Sequence, residues 1–130
     1  MDPCPRSARS LGVAVLAVTL LAAGPLRADQ TLDRLAPAIG ATIVSTHPDG
    51  RKARLWLHRD GTYAAEGRAG NRSSGSWKVR GEKLCLHQHS PFPFPISYCK
   101  PVPAESLNTP WRDKAVNGDQ VTNEIVPGSE

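Results

Sequence analysis

Aromatic side chains are scarce in this chain, with two Phe, two Tyr and three Trp among 130 residues. Each ring buries more apolar area than most aliphatic side chains, so their scarcity implies a modest core. No stretch reaches the roughly 20 apolar residues that a helix needs to cross a bilayer. Helical periodicity is almost absent as well, which leaves no helix N-terminus to cradle a phosphate. Ser73, Ser74 and Ser76 sit in a polar stretch without the strand–turn–helix setting of a nucleophile elbow. Asp60, Glu66 and Glu82 have basic neighbours in sequence, which favours ordinary ionised carboxylates over catalytic acids. The chain is therefore expected to be non-catalytic and to need no cofactor.

What the chain does have at its start is an export address. Arg6 and Arg9 form a positive head, residues 11–23 an apolar core, and Gly24-Pro25 ends that core ahead of Leu26-Arg27-Ala28. This order is that of a secretory signal peptide over residues 1–28, with cleavage expected after Ala28. The mature chain, residues 29–130, is then one small domain, periplasmic or secreted, with no transmembrane segment. Loss of Arg6, Arg9, Arg27 and Asp2 leaves 13 basic and 11 acidic side chains, so overall basicity is slight. The charge is unevenly spread: residues 51–83 hold nine Lys or Arg against three Asp or Glu, and residues 101–130 hold two against five. A basic middle with Trp56 and Tyr63 has the composition of a stacking surface, but export removes nucleic acid from reach, and none is expected as partner.

Cys4 leaves with the leader, and Cys85 and Cys99 remain as an even pair 14 residues apart. In an oxidising compartment such a pair closes. The chain-entropy model gives a loop of that length roughly 3 kcal/mol.

The rest of the mature chain is punctuated for strands. Thr31 is the expected N-cap of a one- or two-turn helix that Pro37 limits. Residues 41–46 are rich in β-branched side chains, and His47-Pro-Asp-Gly50 is a turn. Residues 51–58 alternate, with Ala53, Leu55 and Leu57 on one face and Arg54, Trp56 and His58 on the other. A two-residue turn at Asp60-Gly61 places Glu66 opposite Leu55. A three-residue loop, Arg59-Asp60-Gly61, instead pairs Leu57 with Tyr63, Leu55 with Ala65 and Arg54 with Glu66, which keeps one face apolar. The three-residue loop is expected.

Residues 68–75 are expected as a polar loop, 76–79 as a short strand and 83–89 as another. Trp77 faces either Cys85 or a leucine, depending on register. Alternate prolines in residues 90–95 exclude a central strand. A Pro-rich segment covers residues 90–110, with a short strand at 96–99. A last hairpin is expected from residues 114–116 and 121–126 around Asn117-Gly118-Asp119. The whole is an all-β chain: a small antiparallel meander barrel, or half-open barrel, of about eight short strands with a short N-terminal helix.

Two groups of candidate site residues follow. Arg54, Trp56 and His58 share a strand face and offer an aromatic-basic surface to a protein or envelope partner. His87 and His89 stand two apart on a strand and so share a face, a spacing that suits copper or zinc if His47 or His58 adds a third ligand.

Leu35 to Gly40 ahead of the first strand, Asp60-Gly-Thr-Tyr63, Ser74-Gly-Ser-Trp77 and Lys83-Leu-Cys85 together resemble the small exported calycin-like, or lipocalin-like, proteins of bacteria. The resemblance covers residues 32–100. It implies a meander barrel that binds rather than catalyses: an unknown small ligand, or a protein or envelope partner. Barrel-type inhibitors of secreted hydrolases are similar in size, export and single disulfide, so inhibition is an alternative. No inhibitory residue transfers to this chain.

Overall fold

β-Branched and alternating residues from Thr42 onward build eight strands, and their hydrogen bonds run in one continuous antiparallel sheet. The computed structural model describes residues 12–18 and 24–130. The signal-peptide reading of residues 1–28 falls largely outside them. The described part begins its regular structure with α1 (Gly24–Leu35) and a single 3₁₀ turn (Ala36–Ala38). The strands are β1 (Thr42–Thr46), β2 (Lys52–Leu57), β3 (Thr62–Glu66), β4 (Arg72–Arg80), β5 (Lys83–Ser90), β6 (Tyr98–Pro101), β7 (Trp111–Lys114) and β8 (Gln120–Val126).

Their order in the sheet is β6-β5-β4-β3-β2-β1-β8-β7. The chain thus meanders through six strands and returns to the other edge, where β8 pairs with β1. No ladder joins β6 to β7, so the sheet curls into a half-open barrel. The Lys100 ammonium spans that seam and donates to Asp113 Oδ2 at 2.6 Å and to the Lys114 carbonyl.

Period-2 alternation settles which side chains face inward. Ile43, Leu55, Ala65 and Ser73 stand in cross-strand register, as do Leu57, Tyr63 and Gly75. Leu57 is fully buried and Tyr63 nearly so. Trp77 pairs with Leu86 and not with Cys85, which turns Leu84 and Leu86 inward and the cysteines outward. One end of the barrel is stoppered from two sides. Leu35 and Ala38 come from the helical lead-in, and Val102 and Leu107 from the Pro-rich segment. The part of that segment after β6 joins no ladder, yet it supplies two buried core residues.

The β2–β3 hairpin has the expected register, Leu57 with Tyr63, Leu55 with Ala65 and Arg54 with Glu66. Gly61 has φ +86°, the left-handed conformation that the three-residue loop requires. Asp60 Oδ1 accepts from the Thr62 amide and hydroxyl at 2.9 and 2.6 Å. Cys85 and Cys99 lie directly opposite each other on β5 and β6 and form a disulfide.

Several expected boundaries need correction. Thr31 is no N-cap: it lies inside α1, wholly buried, with Oγ1 2.8 Å from the Arg27 carbonyl and 2.7 Å from the Gly81 carbonyl. Docking on the β4–β5 turn outweighs local capping here, and the helix starts upstream of the expected cleavage point. β4 begins at Arg72 and not at residue 76, because Glu66 and Arg72 pair both in the ladder and as an ion pair at 3.3 Å. β6 begins at Tyr98, two residues after the expected start, once Pro95 is behind it. β7 ends at Lys114, because Ala115 already bonds Asp119 to close the turn.

Gly75 sits where β4 slips register against β5, and a Cβ there would stand 1.9 Å from the His87 carbonyl oxygen. Gly75→Ala is expected to destabilise the protein by at least about 1–3 kcal/mol in denaturant titrations, whereas Gly67→Ala, with 3.6 Å of room, stays much nearer wild type. Mass spectrometry of protein folded under oxidising conditions is expected to give a mass two hydrogens below the reduced form. The double variant Cys85→Ser/Cys99→Ser should lose roughly 3 kcal/mol.

Candidate functional site

The stoppered end and the open end of the barrel differ in lining because different residues face inward there. At the stoppered end a small cavity of about 130 Å³ lies among Leu35, Ile43, Leu55, Leu84, Leu107 and Trp111. At the other end a cavity of about 580 Å³ opens to solvent between the β1–β2, β3–β4 and β7–β8 loops. Ser45, Lys100 and Asn123 line both. They form a polar floor between the two. Ser45 Oγ bonds Asn123 Oδ1 at 2.5 Å, and Asn123 Nδ2 and Lys100 Nζ both approach Asp113 Oδ2. Asn123 is only 6% exposed, so this network satisfies a buried amide that would otherwise be costly.

Above the floor the mouth mixes small apolar and polar groups. Ala53, Ala69, Ala115 and Val121 contribute the apolar share, and Asn71 and Asn117 contribute amides. Tyr98 faces inward from β6 opposite Leu86, yet 40% of it is exposed. Its ring is accessible because β6 is an open edge with no neighbouring strand to cover it.

The rim is tied by charge. His47, 8% exposed, bonds through Nδ1 to Asp119 Oδ2 at 3.1 Å. Arg68 bonds Asp49 Oδ2 at 2.9 Å and lies 4.0 Å from Asp119. One cluster thus joins the three loops that frame the mouth. The bond from His47, followed by that from Asn117, holds the Asp119 carboxyl below its ordinary range.

The residues singled out from the sequence lie elsewhere. Arg54, Trp56 and His58 do not form the exposed face expected of them. Trp56 lies on the outer surface of the sheet but is only 6% exposed, and its indole N–H donates to Thr42 Oγ1 at 2.9 Å. Arg54 is exposed and lies 3.6 Å from Glu66. The His58 carbonyl accepts from the Trp77 indole, at the stoppered end. His87 and His89 do share the outer face of β5, with ring centroids 5.2 Å apart. The expected third ligand is missing: His47 faces the mouth and His58 the far end. Among the described residues no group of three His, Cys, Asp or Glu is placed to hold a metal.

Tyr98, Asn123, Lys100 and Asp113 escaped sequence reasoning because their faces depend on partners far away in the chain. Only the alternation of Val121, Asn123 and Ile125 hinted that Asn123 points inward. Comparison with known proteins finds no matching family model, no similar curated protein and no similar solved structure.

A carboxylate whose pKa is depressed on folding adds stability that is present above its unfolded value and lost as pH falls through the folded one. For Asp119 the unfolded value is near 3.8. Asp119→Asn is therefore expected to lower stability at neutral pH and to flatten the acid limb of the stability–pH curve below about pH 4. Thermal melts of both proteins from pH 7 down to pH 3 measure this.

Proposed function

We propose that this protein is an exported, non-catalytic binding protein that takes a small ligand into the open mouth of its half-barrel. The observation that carries the reading is the cavity of about 580 Å³ that enters the barrel interior above the polar floor. Its volume lies within the range of about 300–1,000 Å³ that holds drug-sized molecules. The resemblance to calycin-like proteins supports the same reading, since their barrels bind through one open end. The disulfide is compatible with an extracytoplasmic location.

The mouth also points to the ligand's chemistry. Its charged groups are already engaged, Lys100 with Asp113, Arg68 with Asp49, and Asp119 as the partner of the His47 ring. A charged ligand would have to break one of those pairs. A neutral molecule with an apolar ring or short chain instead packs against Tyr98 and Val121, with a polar group left for the Asn71 amide.

The neutral fluorescent amine N-phenyl-1-naphthylamine is a suitable probe. Titration is expected to show saturable one-to-one binding that weakens up to about tenfold in Tyr98→Ala, the scale of one lost aromatic contact. Ala53→Trp, which fills the mouth, should abolish it. Equal binding by wild type and both variants would show that the mouth is not the site.

A further inference from the structure

The outer face of β4 and β5 carries a second feature, independent of the mouth. Outside residues 12–18, where Val13, Val15, Leu16 and Val18 are exposed together, Leu32, Val116 and Val126 are exposed singly. Residues 92–96 differ. Phe92, Phe94 and Ile96 are 55%, 45% and 69% exposed within one short segment. The segment is not a loose strap. Phe94 N donates to the Gln88 carbonyl at 3.1 Å, Gln88 Nε2 donates to the Phe92 carbonyl at 3.1 Å, and Ser97 Oγ lies 3.3 Å from His87 Nδ1. Pro91, Pro93 and Pro95 restrict the backbone between these anchors. The two phenyl rings stand 5.9 Å apart, held out toward solvent.

Beside this segment lies a cationic surface. Lys78 and Arg80 project from the outer face of β4, and Lys83 pairs with Arg80 across the tight turn to β5. Like charges directly opposite are destabilising in a ladder. Arg54, Arg68, Arg72 and Lys100 each meet a carboxylate, whereas Lys52, Arg59, Arg112 and Lys114 form no ion pair among the described residues. Lys78, Arg80 and Lys83 form no ion pair among the described residues, and Glu82 in the turn between them forms none either. A groove of about 640 Å³ joins the two features, with Lys78, Arg80 and His87 on one side and Pro95, Ile96 and Ser97 on the other.

We propose that the segment around Phe92, Phe94 and Ile96, together with Lys78, Arg80 and Lys83, is a docking surface for an anionic lipid bilayer. Exposed rings at the tip of an anchored segment enter the headgroup region, and the cations beside them meet lipid phosphates. Each half explains what the other lacks. Apolar rings alone fit any hydrophobic partner, and unpaired cations alone fit any anion. Their adjacency across an open groove fits a surface that is apolar below and negative above. No helix of the described residues is long and apolar enough to cross a membrane.

The test uses the full chain with vesicles of phosphatidylcholine alone or with phosphatidylglycerol added, read at a single position. Phe94→Trp is expected to give a blue-shifted emission relative to the parent on the anionic vesicles only, reversed by high salt. Lys78→Gln/Arg80→Gln should weaken that binding roughly thirtyfold, at about five- to sixfold per cation removed. Phe92→Ser/Ile96→Ser added to the Phe94→Trp protein should abolish the shift, with circular dichroism unchanged. An unshifted emission spectrum from the Phe94→Trp protein, or equal affinity with and without the two cations, overturns the proposal, whatever the N-terminal residues contribute. Binding of inorganic phosphate without binding of vesicles would assign the groove to a soluble anion and overturn it too. So would retention on native envelopes that protease treatment destroys, which would point to a protein partner.

Discussion

The structure depends on a seam that the backbone does not close. Between β6 and β7 no ladder forms, and the Lys100 ammonium takes its place, held by the Asp113 carboxylate and the Lys114 carbonyl. A side chain bridges a wider gap than a peptide hydrogen bond does, so the barrel stays open along one line. Both partners are only partly exposed. Losing either one would leave a charge facing a half-buried interior, which is more costly than losing a surface pair. The same ion pair anchors Asn123 and, through it, Ser45 on β1. Seam, floor and far wall are thus one hydrogen-bonded unit.

The rest of the molecule is arranged around this opening. The Pro-rich segment after β6 cannot extend the sheet, and it folds back to place Val102 and Leu107 in the core. α1 covers the same end and is pinned there by Thr31 on Gly81 and by Arg34 on the Pro103 carbonyl. One end is therefore stoppered by apolar side chains and the other is left to water and loops. The disulfide ties β6, an edge strand, to β5 from the outside, where it stiffens the wall without occupying the interior. That division leaves the mouth free for a ligand and the outer face of β4 and β5 free for a surface contact.

Local patterns make part of this legible. The β2–β3 register follows from a conflict, because only one loop length keeps Glu66 off the apolar face, and Gly61 supplies the conformation it needs. The strand character of Arg72 to Gly75 is hidden. Serines and a glycine carry little β-propensity of their own, and pairing with β3 decides their state. Trp56 departs from expectation for a related reason. Alternation correctly sets it apart from Leu55 and Leu57, but nothing local says that a side chain on the outer face is itself covered. His87 and His89 stand side by side as their spacing requires, and the absence of a third ligand near them is a fact of three-dimensional distance.

The sequence by itself determined the all-β class, the tight β2–β3 hairpin and the cysteine pair, because period-2 alternation, turn residues and cysteine count act over short separations or without geometry. Tertiary structure alone decided that β8 lies beside β1, that β6 and β7 stay apart, and that Tyr98, Asn123 and Lys100 share one interior. Those outcomes depend on how far a twisted sheet curls before its edges meet. That curl is the sum of many small strand rotations, and no single stretch of residues encodes it.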